Sequence, residues 1–251
     1  MKKLGVFIPI LLTIVLAFSV VPNVNAAPVI IYADSEDGIV GSNAFVNNVV
    51  INVGDQDSNV YFRGFVKFSL SGVSGSVSSA TLNLYLWDSY YNGAYDPISP
   101  LTNPGLGDLQ VIHIDDYGTL SDGDFGDSSI GNDPGVLISG SATPNTGYIS
   151  IDITAAMQDD IDNGRAFTSF LIRLATNTDS DAKADVWGFR ASEHTGTDQD
   201  PFVEYELAPE NPVGGIYASN DKFNILAPYI ALVGLIGIIS AVFVIVKKRR
   251  T

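Results

Sequence analysis

The sequence predicts an all-β fold: an antiparallel β-sandwich of about nine strands with one short helix, followed by a C-terminal transmembrane helix. Three observations predict it. Residues 28–207 alternate apolar and polar side chains with period two, as strands buried on one face do. Gly, Asn, Asp, Ser and Pro cut that alternation into short runs. Residues 223–246 instead form one uncharged apolar stretch, closed by a basic cluster.

The strands read in order as Val29–Ala33, Val49–Val53, Tyr61–Leu70, Leu82–Trp87, Gln110–Ile114, Ile149–Ile153, Phe170–Ala175, Val186–Ser192 and Val203–Leu207. In the third, Phe62, Gly64, Val66, Phe68 and Leu70 share one face, and Tyr61, Arg63, Phe65, Lys67 and Ser69 the other. Leu82, Leu84 and Leu86 alternate with Asn83, Tyr85 and Trp87. One-sided strands need a second sheet over their apolar face. A helix capped by Thr154 and ended by Gly164 fits residues 155–163. Ala156, Asp160 and Asn163 would share one side of it, and Met157 and Ile161 would rest on the sandwich edge. Ser89–Asp108 and Asp115–Gly147 exceed hairpin length, and loops that long are usually functional or ordered by an ion.

The ends carry a different message. Met1-Lys2-Lys3, the uncharged run Leu4–Val21 and Val24-Asn25-Ala26-Ala27 read as a signal peptide over residues 1–26. Phe223–Val246 is 24 residues, enough to cross a hydrocarbon core of about 30 Å. Lys247-Lys248-Arg249-Arg250 and Thr251 would remain in the cytoplasm. Pro209, Pro212, Gly214 and Gly215 mark residues 208–222 as a juxtamembrane linker. The expected topology is a single-pass protein of the cell membrane, with the domain of residues 27–207 extracellular.

Charge is partitioned the same way. The whole chain carries -15. Residues 27–222 hold seven Lys and Arg against all 28 acids, a net charge of -21. Such a surface excludes a nucleic-acid partner, which needs clustered cations. The absence of Cys excludes disulfides, cysteine nucleophiles and thiolate metal sites. An exported domain without disulfides points to a prokaryotic surface.

Arg63-Gly64-Phe65-Val66-Lys67-Phe68-Ser69-Leu70, followed by Val77-Ser78-Ser79-Ala80-Thr81-Leu82-Asn83-Leu84, resembles the first half of DNRLRE-type domains, which are related to the CBM96 carbohydrate-binding modules. Ile153-Thr154-Ala155-Ala156, Gly164, Phe170-Leu171-Ile172-Arg173, Phe189-Arg190-Ala191-Ser192-Glu193 and Pro201-Phe202-Val203-Glu204-Tyr205 resemble the second half. The match spans about residues 30–207. The resemblance implies a jelly-roll-like β-sandwich on surface proteins that binds glycans or acts as a spacer, without catalysis.

Four chemistries follow from the residues themselves. Calcium is the first. Asp115, Asp116, Asp122, Asp124 and Asp127, with Asp133, crowd one Gly-bent loop, and a hard cation takes six to eight oxygens from such a chain. Asp34, Glu36 and Asp37 form another cluster. Asp55-x-Asp57-x-Asn59 and Asp179-x-Asp181-x-x-x-Asp185 copy part of an EF-hand rhythm but lack its Gly and closing Glu. Polysaccharide binding is the second. Tyr85, Trp87, Tyr90, Tyr91 and Tyr95 run from a strand's outer face into a polar loop, with Trp187 and Tyr117 as further rings. Hydrolysis is the third: acids abound, and His113-x-Asp115 offers a base with an orienting group, but no Gly-x-Ser-x-Gly, His-Glu-x-x-His or P-loop pattern occurs. His113 alternates with apolar neighbours, which favours a structural role. Assembly is the fourth. The apolar start Ala27–Tyr32 either completes its own sheet or is donated to a neighbour in a filament. The reading favoured is a non-enzymatic surface module for glycan binding, adhesion or envelope scaffolding.

Overall fold

The computed structural model describes residues 27–209, apart from Thr195 and Thr197. The expected signal peptide, most of the linker, the membrane span and the basic tail lie outside the described residues.

The described elements are β1 (Val29–Tyr32), β2 (Gly38–Gly41), β3 (Val46–Asn47), β4 (Val50–Gln56), β5 (Val60–Ser69), β6 (Val77–Tyr91), β7 (Ala94–Asp96), β8 (Leu109–Ile114), β9 (Gly135–Ile138), β10 (Gly147–Asp152), α1 (Thr154–Asp162), β11 (Phe167–Leu174), β12 (Asp185–Arg190) and β13 (Phe202–Leu207). All pairings are antiparallel and join into one sheet in the order β1-β13-β6-β12-β4-β5-β11-β8-β9. The sheet curls on itself and is sandwich-like. β6, at 15 residues, exchanges partners along its length. Its first part pairs with β13 and β10, and its last part with β12 and β7. β1 lies at a sheet edge, paired to this chain's own β13.

The inner face is apolar as the alternation requires. Ile51 and Val53 of β4, Val66 and Phe68 of β5, Leu82, Leu84 and Leu86 of β6, Phe170 and Ile172 of β11, and Trp187 and Phe189 of β12 are buried together. Each such side chain contributes about 1.5–3 kcal/mol on leaving water.

The outer face of β5, β11 and β8 is covered too. Phe65, Leu171, Ile112 and Ile114 form a second buried cluster with Val40 and Leu120, and Tyr117 and Phe125 pack against it. The loop after β8 is therefore a lid on the sheet. Two cations of β5 fasten it. Lys67 Nζ donates to the Gly118 carbonyl at 2.5 Å, and an Arg63 guanidinium nitrogen donates to the Phe125 carbonyl at 2.5 Å.

The sequence reading needs correction in places. Thirteen strands are described rather than nine: β2, β3, β7 and β9 fall in stretches read as loops. Ser89–Asp108 is not one open loop, because β6 runs on to Tyr91 and turns at Asn92-Gly93 into β7. Both turn residues have positive φ, 51° and 78°, which suits Asn-Gly in a two-residue hairpin. The helix starts at Thr154 with Ile153 at its N-cap, and Thr154 does not cap it: Asp152 Oδ1 accepts the Thr154 amide at 2.8 Å and hydroxyl at 2.6 Å. The Thr154 hydroxyl oxygen instead accepts the Ala80 amide at 2.8 Å, which lashes α1 to β6. Ala156, Met157 and Asp160 all point inward, so the buried stripe of α1 includes an acid.

Candidate functional site

The expected ring cluster is built by a bulge. Along the β6–β12 pairing, Phe189 faces Leu86 and Gly188 faces Asp88, leaving Trp87 without a partner on β12. The extra residue turns Trp87, Asp88 and Tyr90 toward the outer side of the sheet, because Leu86 and Trp187 remain in the core. Tyr90 stands directly opposite Tyr95 on β7, with ring centroids 5.2 Å apart. Trp87 lies 6.3 Å from Tyr95, and the Arg190 guanidinium sits 4.0 Å over the Trp87 ring. Arg190 thus covers one face of the indole. Tyr95, 48 % exposed, is the most open ring of this group.

Tyr91 does not join it. It alternates to the other side of the hairpin, where its ring lies 3.5 Å from the Cβ position of Gly105. The two further candidate rings lie elsewhere. Trp187 is fully buried in the core, and Tyr117, part of the lid and of its acidic cleft, packs edge-on against Phe65. Tyr85, expected in this cluster, belongs instead to a second row on the same outer side, whose other members sequence reasoning missed: it packs on Tyr148, Tyr148 on Phe202, and Phe202 on Tyr32, at 5.0–6.2 Å. The alternation of the β10 segment, with Ile149 inward, was the available signal for Tyr148.

Asp88 is the buried polar member of the site. It fits because Gly188 lacks a Cβ, which would stand 1.8 Å from Asp88 Oδ1. Burial pushes the Asp88 carboxyl up to about 6, against the downward pull of Arg190. Rings beside a carboxyl and a guanidinium suit a polyhydroxylated ligand, whose C–H faces stack while its hydroxyls exchange hydrogen bonds.

The acidic loop has a different arrangement from the one its sequence suggests. Asp115, Asp116, Asp124 and Asp127 line a cleft of about 360 Å³, whereas Asp122 does not. Asp116 accepts from Lys67 and from the Gly118 amide. Asp124 accepts from the Ser121 amide and hydroxyl in a capping box. Asp133 accepts the His113 amide. Burial, then the charges of Asp124 and Asp115, push the Asp127 carboxyl up. Asp37 is buried and accepts from the Ser192 amide and hydroxyl, and Glu36 accepts the Leu120 amide.

His113 pairs with an acid other than Asp115. Its Nε2 lies 3.0 Å from both carboxylate oxygens of Asp160, and Arg165 donates to Asp160 at 2.8 Å and to Asp159 at 2.6 Å. His113 and Asp160 are buried, and the pair fastens the helix to β8.

A third group lies where β12 pairs with β4, at the end of the loop before β12. Carboxylate oxygens of Asp179, Asp181 and Asp185 come within 4.8 Å of one another, and Asp185 stands opposite Asp55 in the β4–β12 register. Burial pushes both Asp55 and Asp185 up. The charges of Asp179 and Asp181 add to that push at each.

No protein-family model matches the chain, and no curated protein matches it.

Proposed function

We propose that residues 27–207 form a jelly-roll-like, non-catalytic glycan-binding module of the DNRLRE/CBM96 kind, held outside the cell by the apolar segment Phe223–Val246. The ligand is an extracellular polysaccharide, and its binding face is the Trp87–Tyr90–Tyr95 group. The observation that carries the reading is the β6 bulge, which gathers three rings, the Asp88 carboxyl and the Arg190 guanidinium on one outer face. An aromatic group with polar neighbours on an exposed hairpin has no need to be there for packing, since the core is filled from the opposite face. The motif resemblance along residues 30–207 points to the same activity.

Affinity electrophoresis and a glycan array test it, comparing the native chain with Tyr95→Ala and the double variant Tyr90→Ala/Tyr95→Ala. Retention of the native chain by at least one polysaccharide, lost in the double variant at unchanged melting temperature, is the expected result. No retention on any polysaccharide, or equal retention by both chains, overturns the reading.

A further inference from the structure

Two acids occupy positions where the alternation calls for apolar side chains. Along β4 and β12, the inward cross-strand pairs are Ile51 with Phe189, then Val53 with Trp187, then Asp55 with Asp185. The first two pairs belong to the core. The third continues the same face one step further, and it is still buried: Asp55 is 0 % and Asp185 1 % exposed. Side chains directly opposite on antiparallel strands have Cβ atoms about 4.5–5.5 Å apart, and like charges there repel. Gly54 tightens the approach, since a Cβ on it would lie 2.1 Å from the Asp185 carbonyl oxygen.

The hydrogen bonds of this pair are incomplete. Among the described residues, neither carboxylate oxygen of Asp55 has a hydrogen-bond partner, and Oδ2 of Asp185 has none. The Thr178 hydroxyl and the Asp179 amide lie near Asp55, outside hydrogen-bonding geometry. A buried carboxylate without donors is costly unless a cation meets it. Yet the charges felt by both carboxyls are those of further acids, Asp179 and Asp181. Lys183 Nζ lies 3.6 Å from Asp181 but is half-exposed, and it donates to Asn92 Oδ1. The His113–Asp159–Asp160 group contrasts with it, because Arg165 and the imidazole already fill that cluster.

We propose that Asp55, Asp179, Asp181 and Asp185 bind one Ca²⁺ at the end of the core between β4 and β12. The donor set is all oxygen and irregular in spacing, which suits Ca²⁺ better than the strict octahedron of Mg²⁺. The site also reaches the ring-bearing hairpin. Asp185 Oδ1 accepts the Asn92 amide at 2.7 Å, and the Gly93 amide donates to the Ala184 carbonyl at 2.8 Å. A cation bridging Asp185 to Asp55 therefore fixes the β6–β7 turn onto β12. The proposal is independent of glycan binding, and none of its readouts uses a glycan.

Calorimetric titration of the purified full chain with CaCl₂, and melting in CaCl₂ against EDTA, test it. One Ca²⁺ per chain is expected, with a melting rise of about 5–10 °C at a hundred times the Kd. Amide exchange at Asn92 and Gly93 should slow on addition of CaCl₂. Asp179→Asn/Asp181→Asn changes only residues at the protein surface and should abolish both effects while leaving the fold intact. Asp55→Asn should abolish them too, with an EDTA melting temperature equal to or above that of the native chain. Absence of binding at millimolar CaCl₂, or binding that survives these variants and disappears with Asp115→Asn/Asp124→Asn, overturns the proposal.

Discussion

His113 Nε2 lies 3.0 Å from each carboxylate oxygen of Asp160, while His113 Nδ1 lies 2.8 Å from the Gly131 carbonyl oxygen. Both ring nitrogens thus face acceptors, and only the imidazolium donates to both. Burial pulls the His113 pKa down, but the Asp160 hydrogen bond and charge and the Gly131 carbonyl outweigh it, so the net shift is upward from 6.5. A raised histidine stabilises the fold fully below its unfolded pKa. The contribution is lost as pH rises through the folded value. His113→Gln should cost about 3 kcal/mol at pH 6 and flatten the decline in stability above pH 6.5, measured by urea unfolding across pH.

Asp37 acts with the same sign through a different group. Burial pushes its carboxyl up to about 8 from 3.8, although the Ser192 hydroxyl and amide pull it down. A raised carboxyl keeps its proton in the folded state after the unfolded chain has lost its own. Stability therefore falls as pH rises from about 4 to about 8. Asp37→Asn keeps an acceptor for Ser192 and should be more stable than the native chain at pH 8, with a shallower slope. Identical slopes in the two chains would refute the assignment.

Lys67 is 4 % exposed, and its ammonium bonds the Gly118 carbonyl below the rings of Tyr117 and Phe167. Lys67→Met keeps the stem and removes the donor. The change should destabilise the domain by about 1–3 kcal/mol and open the lid first. Limited proteolysis should show new cleavage within residues 115–127 before global unfolding.

Gly188→Ala places a methyl group where Asp88 Oδ1 now sits, 1.8 Å away. The acid must leave its pocket or the bulge must move. The expected cost is about 2–4 kcal/mol, with a changed Trp87 fluorescence spectrum. A substitution without effect on either would show that Asp88 is not fixed against β12.

Much of this architecture was legible because it is local. The alternation Phe62–Leu70 against Tyr61–Ser69 identifies β5, and Leu82, Leu84 and Leu86 identify the inner face of β6. What escaped depends on distant partners. That Phe65 and Lys67 are buried follows from a lid closing through Leu120 and Gly118, some fifty residues later. β2 and β3 are short and carry too few apolar residues to stand out. Asn92-Gly93 is a hairpin signal, but it lies inside a longer polar stretch that masks it. At the candidate site, Tyr90 and Tyr95 were readable from composition, but the exclusion of Tyr91 required the register. The Asp55–Asp185 pairing required it as well, since 130 residues separate the two acids.

β13 lies between β1 and β6, and it is the last strand of the described domain. A chain that emerges amino end first therefore exposes β1 and one border of β6 until residues 202–207 arrive. At about 5–20 residues per second that wait is on the order of ten seconds or more. During it, Val29, Ile30 and Ile31 are an unclaimed sticky ribbon. The order of synthesis thus makes the closing strand, rather than the opening one, the step at which the nascent domain is committed to itself instead of to a neighbouring chain.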